Sequence, residues 1–202
     1  MTTPKIDLDK GGIEVMRIIS DLPRRPAWAS TPGARAELAE EEAVIRDDLV
    51  AYGYAYGAMD MEALLAHFAD DVAIVTAAGT VTGSDLLRRN YEWLFKDWPG
   101  ARHLWGEVTV RFVAPDEAYR SAIIWEIYPK NQSLAFSTDI HHLKRLGGRW
   151  KIVKRRILMD GSFKLTPWEE ERDAEEPRRK FIAEAEKARA SAPAASAQGV
   201  KR

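Results

Sequence analysis

The chain has 202 residues, with 30 lysines and arginines against 31 aspartates and glutamates, a formal net charge of −1, and no cysteine. That length suits one domain with appendages, and the charge balance requires neither nucleic acid nor an anionic membrane as partner. The lack of cysteine excludes a disulfide framework, a thiolate metal site and a cysteine nucleophile.

The opening MTTPKIDLDKGG has no basic stretch leading into an apolar run, and no segment approaches the roughly 18 apolar residues of a membrane span. A soluble, cytoplasmic protein is expected. Residues 1–36 carry Pro4, Pro23, Pro26 and Pro32 with several glycines and read as an extended arm, with a short helical pattern only at Ile13 to Ile19. From Glu37 to Tyr56 the apolar positions Leu38, Ala43, Ile45, Leu49, Tyr52 and Tyr56 recur at helical intervals, which predicts a long helix. Asp60 is placed to cap a second helix, DMEALLAHF, ended by Asp70-Asp71. Val72 to Val75 reads as a short strand, GTVTG as a turn, and Ser84 as the cap of a third helix reaching about Trp98.

After Pro99-Gly100 the apolar period becomes alternating. Strands are predicted at 103–113, 117–128, 134–146 and 149–159, the last two joined by Gly147-Gly148, a pair suited to a tight hairpin because both glycines tolerate positive φ. Residues 166–202 read as a charged helix interrupted by Pro177 and an Ala/Ser/Pro end with too little apolar area to order itself. The domain proper is thus 37–165. Helices followed by a run of antiparallel strands give an α+β order.

This order resembles the SnoaL-like branch of the nuclear transport factor 2 (NTF2-like, cystatin-like) superfamily. The residues that carry the likeness are YGYAYGAMDMEALLAHFADDVAI, the Gly83 turn, the Arg102-His103 strand start, the Asp116-Glu117-Ala118 turn and GGRWKIVKRRI, within about residues 40 to 160. The resemblance implies a cone, a strongly curved antiparallel sheet wrapped around about three N-terminal helices. It also implies cofactor-free dehydratases, dehydrochlorinases, isomerases and other lyases acting on apolar, often aromatic compounds. Many of these pair an Asp on the first helix with a His on the first long strand. The His is matched by His103, but the Asp position falls on Gly57, and the absent side chain leaves space there for a bulkier substrate. Asp60 matches a second, capping acid.

Substitutes for the missing acid exist. By strand alternation His103, Trp105, Glu107 and Thr109 share one face, as do Arg120, Ala122, Ile124 and Glu126. The resemblance to bile-acid dehydratases places Tyr52 and Glu126 at catalytic positions, and Tyr56 where scytalone dehydratase carries a tyrosine. The expected catalytic set is His103, Tyr52, Tyr56 and Glu126, with Trp105, Glu107, Trp125 and Thr76 binding substrate.

Other readings compete for the same residues. His103 also fits an ordinary strand-start histidine, and Tyr52, Tyr54 and Tyr56 cannot all face one pocket. Glu126 is paired with Arg120 or Arg111 at the surface, or is functional. Glu107 also reads as a solvated residue. His141 and His142 point to opposite faces and cannot chelate one ion, so no metal is expected. In KIVKRR a single cation turned inward would suit a phenolate or carboxylate.

The expected function is that of a cofactor-independent lyase removing water or formaldehyde from a hydrophobic, aromatic, hydroxylated small molecule, possessing no cofactor and assembled as a homotrimer through the outer sheet face. The alternatives are a non-catalytic β subunit of a ring-hydroxylating dioxygenase, which the same strands also resemble, and a non-catalytic ligand-binding cone.

Overall fold

The computed structural model describes residues 6–9 and 12–164, together with Ala183 and Lys187. The chain divides into two units, Met1–Leu165 and Thr166–Arg202. The tail helix and unordered end expected at 166–202 otherwise lie outside the described residues.

The first unit holds helices α1 (Gly12–Asp21), α2 (Pro32–Ala58), α3 (Met61–Leu65) and α4 (Ser84–Asp97). Its strands are β1 (Phe68–Thr76), β2 (Gly79–Thr82), β3 (Arg102–Ala114), β4 (Glu117–Tyr128), β5 (Ser133–Leu146) and β6 (Arg149–Lys164), in the order β2-β1-β6-β5-β4-β3. The pairings are antiparallel apart from β1 with β6, which run parallel. This single parallel pair departs from the all-antiparallel expectation. None of the described helices is long and apolar enough to cross a membrane.

α2 starts earlier than its apolar pattern suggests, because Thr31 Oγ1 accepts the Ala34 amide proton and Pro32 stands in the first turn, where its missing N–H costs nothing. Asp60 caps α3 as expected, its side chain accepting from the Ala63 amide at 3.0 Å. Asp70 and Asp71 do not end a helix; they lie inside β1, which already begins at Phe68. The GTVTG segment is strand β2 rather than only a turn. Ser84 does not cap α4: Gly83, with φ 86°, occupies the cap position and no side chain bonds the free amides. Gly147 and Gly148 take φ 58° and 79° and close the β5–β6 hairpin.

The core lies between the concave sheet face and the helices. Ile45 and Leu49 of α2, Leu64, Val72, Leu87, Leu143 and Ile152 form its apolar body. Within the segment read as an extended arm, the short helical pattern at Ile13 to Ile19 forms helix α1. Ile6, Leu8, Val15, Ile19 and Leu22 cover Tyr119 and Ile140, which point away from the inward-facing Arg120 and His141 and so lie on the convex face.

Two bulges redirect the side chains that matter for the site. In β3, Trp105 pairs with Ile124 but Val108 pairs with Ala122, so Gly106 and Glu107 together oppose one residue. Before the bulge the odd residues His103 and Trp105 face the helices; after it the even residues Val108, Val110 and Phe112 do. In β6, Ile152 pairs with Leu143 and Lys154 with His142, leaving Val153 unpaired. Trp150 and Ile152 therefore face inward, and beyond the bulge Arg155 does, in place of Lys154.

Candidate active site

A cavity of about 450 Å³ opens between α2, α4 and the concave sheet face, reached by Thr76–Val81 and Trp93. His103, Tyr52, Tyr56, Glu126 and Thr76 all line it, so the four expected catalytic residues and one expected binding residue are brought together.

Tyr52 and Tyr56 stand four residues apart on α2, one turn above each other, and both are buried. Tyr54 points to solvent, 77% exposed, which settles which of the three tyrosines is excluded. The imidazole of His103 stacks on Tyr56 with ring centroids 3.9 Å apart and planes at 12°. Its Nδ1 is shielded from solvent without a hydrogen-bond partner. Burial, helped by the nearby Arg155 charge, pushes its pKa down to about 3, so the ring is neutral near pH 7. Burial likewise raises the phenol of Tyr56 well above its ordinary range.

Glu126 pairs with neither Arg120 nor Arg111. Its Oε1 accepts the Ser137 hydroxyl at 3.0 Å and its Oε2 the Tyr128 hydroxyl, so each oxygen receives one O–H. Tyr128 also lines the cavity and packs edge-on against Trp98.

The opposite end is built on Arg155. Its Nε donates to Asp139 Oδ2 at 2.8 Å, with Nη2 paired to the same oxygen, while Nη1 donates to the Tyr52 hydroxyl at 2.8 Å and the Tyr91 hydroxyl at 3.3 Å. The two hydroxyl oxygens are 3.2 Å apart. Burial drives both phenols upward and Arg155 only partly offsets it, so both remain protonated donors. Burial also works against charge on Arg155 and Asp139, but each overcomes it for the other; the Asp139 carboxyl ends below its usual range and Arg155 stays charged.

Behind Asp139 the polar groups continue. Arg120, His141 and Arg155 are direct cross-strand neighbours on β4, β5 and β6. Arg120 Nε donates to His141 Nδ1 at 3.0 Å, so the neutral ring carries its proton on Nε2, 3.3 Å from Asp139 Oδ2. Burial, then the Arg120 charge, lowers the His141 pKa to about 4. His142 turns to the other face and meets Glu117. Among the described residues no three His, Asp or Glu side chains are grouped to hold a metal ion.

Three expected binding residues lie elsewhere. Trp105 sits in a groove with Val50, Gly53 and Tyr54, over the α2 backbone, and does not line the cavity. Glu107 is exposed because the β3 bulge turns it out. Trp125 follows Ile124 and precedes Glu126, both inward, and so faces outward, 43% exposed, against Phe136. Gly57 does not widen the cavity either: a Cβ there would come 2.6 Å from Arg102 Nη1, which donates to the Gly57 carbonyl.

Asp139 and Tyr91 are the site residues that the sequence reading did not single out, and the one inward cation of KIVKRR is Arg155. Alternation from Glu126 reaches Tyr128, and alternation from His141 reaches Asp139; Arg155 needs the β6 bulge, and Tyr91 needs the packing of α4.

An α+β unit with a curved six-stranded sheet, N-terminal helices and a polar-lined cavity between them belongs to the NTF2-like, cystatin-like class. Within it, residues 37–156 match the model of the SnoaL-like domain, and the chain belongs to that family. A scytalone dehydratase candidate from Novosphingobium aromaticivorans is 19% identical, with 66% of this chain and 93% of that one covered and a TM-score of 0.60. LinA is 18% identical, with coverage of 66% and 98% and a TM-score of 0.58. An NTF2-like protein with a cystatin-like fold from N. aromaticivorans is 24% identical, with coverage of 64% and 88% and a TM-score of 0.54. At such identities the likeness concerns the fold. No curated protein matches the sequence significantly.

Proposed function

We propose that the chain is a cofactor-independent lyase that eliminates water or formaldehyde from a hydrophobic, aromatic, hydroxylated small molecule. The observation that carries this reading is that one cavity gathers a neutral imidazole, a carboxylate and tyrosine hydroxyls among apolar walls. Those are the groups that general acid–base elimination uses, and removing such a group typically costs about 10²–10⁴ in rate.

In this reading the substrate is a phenol that reacts in its ionised form. Tyr56 protonates the departing benzylic hydroxyl, which leaves as water while the electron pair of the phenolate oxygen turns the ring into a quinone methide. Glu126 then takes the proton of a neighbouring hydroxymethyl O–H, with His103 hydrogen-bonded beside them. The C–C bond breaks, formaldehyde leaves, and its bonding electrons restore the aromatic ring. Proton return from Glu126 to Tyr56 closes the cycle, and no oxidant or reductant is consumed. A substrate without the hydroxymethyl group instead gives up a carbon-bound proton to the same carboxylate. Tyr52 holds position through Arg155 and Tyr91 rather than moving a proton.

The test is to incubate the purified chain with hydroxylated diaryl and steroid-like compounds, without added cofactor, and to follow loss of water or formaldehyde by mass. Turnover of a diaryl diol that is abolished by Glu126→Gln is expected. A chain that is inactive on the whole panel, or that folds only beside a larger iron-binding subunit, would be the assembly component instead.

A further inference from the structure

We propose that the cavity takes its ligand as a phenolate, the ionised oxygen seated on the Tyr52 and Tyr91 hydroxyls with the Arg155 guanidinium behind them. The inference deepens the lyase reading, on which it rests for its catalytic meaning, but it concerns binding and is testable without turnover.

The hydrogen-bond inventory leads to it. Both N–H groups of Arg155 Nη1 are spent on the two tyrosine oxygens. A hydroxyl has one proton, so the pair has two to give. At most one of them bridges the two oxygens, leaving a donor that needs an acceptor. The bridge itself is poor, because 3.2 Å lies outside the roughly 2.5–3.0 Å of a good O–H···O bond. An oxygen anion entering the cavity would draw both protons to itself and find two donors, each polarised by a guanidinium that Asp139 holds in place.

Charge is distributed to match. Glu126, the carboxylate at the other end of the cavity, pairs across β5 with Ala135, whereas Arg155 pairs with His141. Those partners are six residues apart on β5, so the two side chains enter the cavity at different points along the strand. The cavity therefore has a donor end for an anion and an acceptor end for hydroxyl groups. A phenol whose side chain carries alcohols fits that polarity in one orientation only. Bound that way, the phenolate supplies the electron pair that expels the benzylic hydroxyl.

The probe is 4-nitrophenol, whose ionised form absorbs visible light while the neutral form does not, titrated with protein one pH unit below its own ionisation. The bound probe should be at least tenfold richer in phenolate than the free probe, and 4-nitroanisole, which cannot ionise, should bind at least tenfold more weakly. Tyr91→Phe should cut the phenolate enrichment at least threefold, and the Tyr52→Phe, Tyr91→Phe pair should abolish it; if the pair fails to fold, Tyr91→Phe alone decides. Absence of binding, unaltered ionisation of the bound probe, or an unchanged Tyr91→Phe titration would overturn the proposal. Phenolate capture with no elimination from any compound would sink the lyase reading and leave this one standing. Turnover of a diaryl diol by a protein that shows no phenolate enrichment of the bound probe would do the reverse.

Discussion

Tyr56 lies flat on His103, the ring of a helix residue covering the ring of a strand residue at 3.9 Å. The stack couples α2 to β3 at the cavity wall and excludes water from one face of the imidazole, which is why burial dominates its depressed pKa. The orientation of the imidazole is therefore set by packing, with no carboxylate on the helix to set it by pairing.

Tyr56→Phe and Tyr56→Ala should separate these effects. The phenylalanine keeps the stack and loses only the hydroxyl, so turnover should fall about 10²-fold or more with stability little changed. The alanine should also destabilise the fold by about 3 kcal/mol or more. Rate measurements beside urea unfolding distinguish them, and equal activity of wild type and Tyr56→Phe would remove the hydroxyl from the chemistry.

Acid should weaken the fold in a defined window. His103 and His141 titrate at about 3 and about 4 when folded, against about 6.5 in an unfolded chain. Between those values the unfolded chain binds protons that the folded chain refuses. Their contribution is fully present above about pH 6.5 and is lost as the pH falls through the folded values, with a limiting slope of about 1.4 kcal/mol per pH unit for each ring. Denaturant unfolding at several pH values should show a reduced slope in His141→Gln; an unchanged slope would contradict the buried neutral state.

Asp139→Ala leaves Arg155 without its carboxylate partner in a fully buried position. Loss of one member of such a pair typically costs about 3–5 kcal/mol. Asp139→Asn keeps one acceptor and should cost less. Thermal unfolding of the two variants tests the order, and equal stabilities would show that packing rather than charge holds Arg155.

Gly53→Ala should destabilise the protein even though alanine is the better helix former by about 1 kcal/mol. Its Cβ would lie 2.6 Å from Trp105 Nε1 and 3.4 Å from Cδ1 of the same rigid ring, an overpacking typically worth about 1–3 kcal/mol. At Gly57 the obstacle is the tip of the flexible Arg102 side chain, so Gly57→Ala should be tolerated better. Urea midpoints of the two variants check the contrast.

The convex face of β3–β5 carries Leu104, Trp125 and Phe136 as direct cross-strand neighbours, with Leu104 and Trp125 exposed. We propose that this uncharged apolar row serves for association, and a homotrimer through it is the predicted assembly. Light scattering should give three times the chain mass, and Trp125→Glu should reduce it to one; a monomeric wild type would rule this out.

Much of the fold was legible because burial demands periodicity. Alternation put His103 and Glu126 on the inner face, and the Gly147-Gly148 pair marked its hairpin. Alternation failed where a bulge breaks it: Glu107 was expected inside and lies outside, and Arg155, hidden in a basic run, turns inward because Val153 is unpaired. Trp125 could not share a pocket with its neighbour Glu126, a conflict that the sequence already contained. The Gly57 space is filled from a distance in sequence by Arg102, which no local pattern reports.

Strand β6 lies between β1 and β5 although it comes last among the strands of the described residues, and its parallel edge holds β1 at Phe68↔Ile152. During synthesis the sheet therefore remains open until residues beyond 150 have left the ribosome. Before that moment β1 and β2 lack the strand that joins them to β3–β5, and the two parts of the sheet on which the helices pack stay separate. A nascent chain of this protein should thus depend on chaperones late, and a truncation before Trp150 should yield an insoluble fragment rather than a smaller domain.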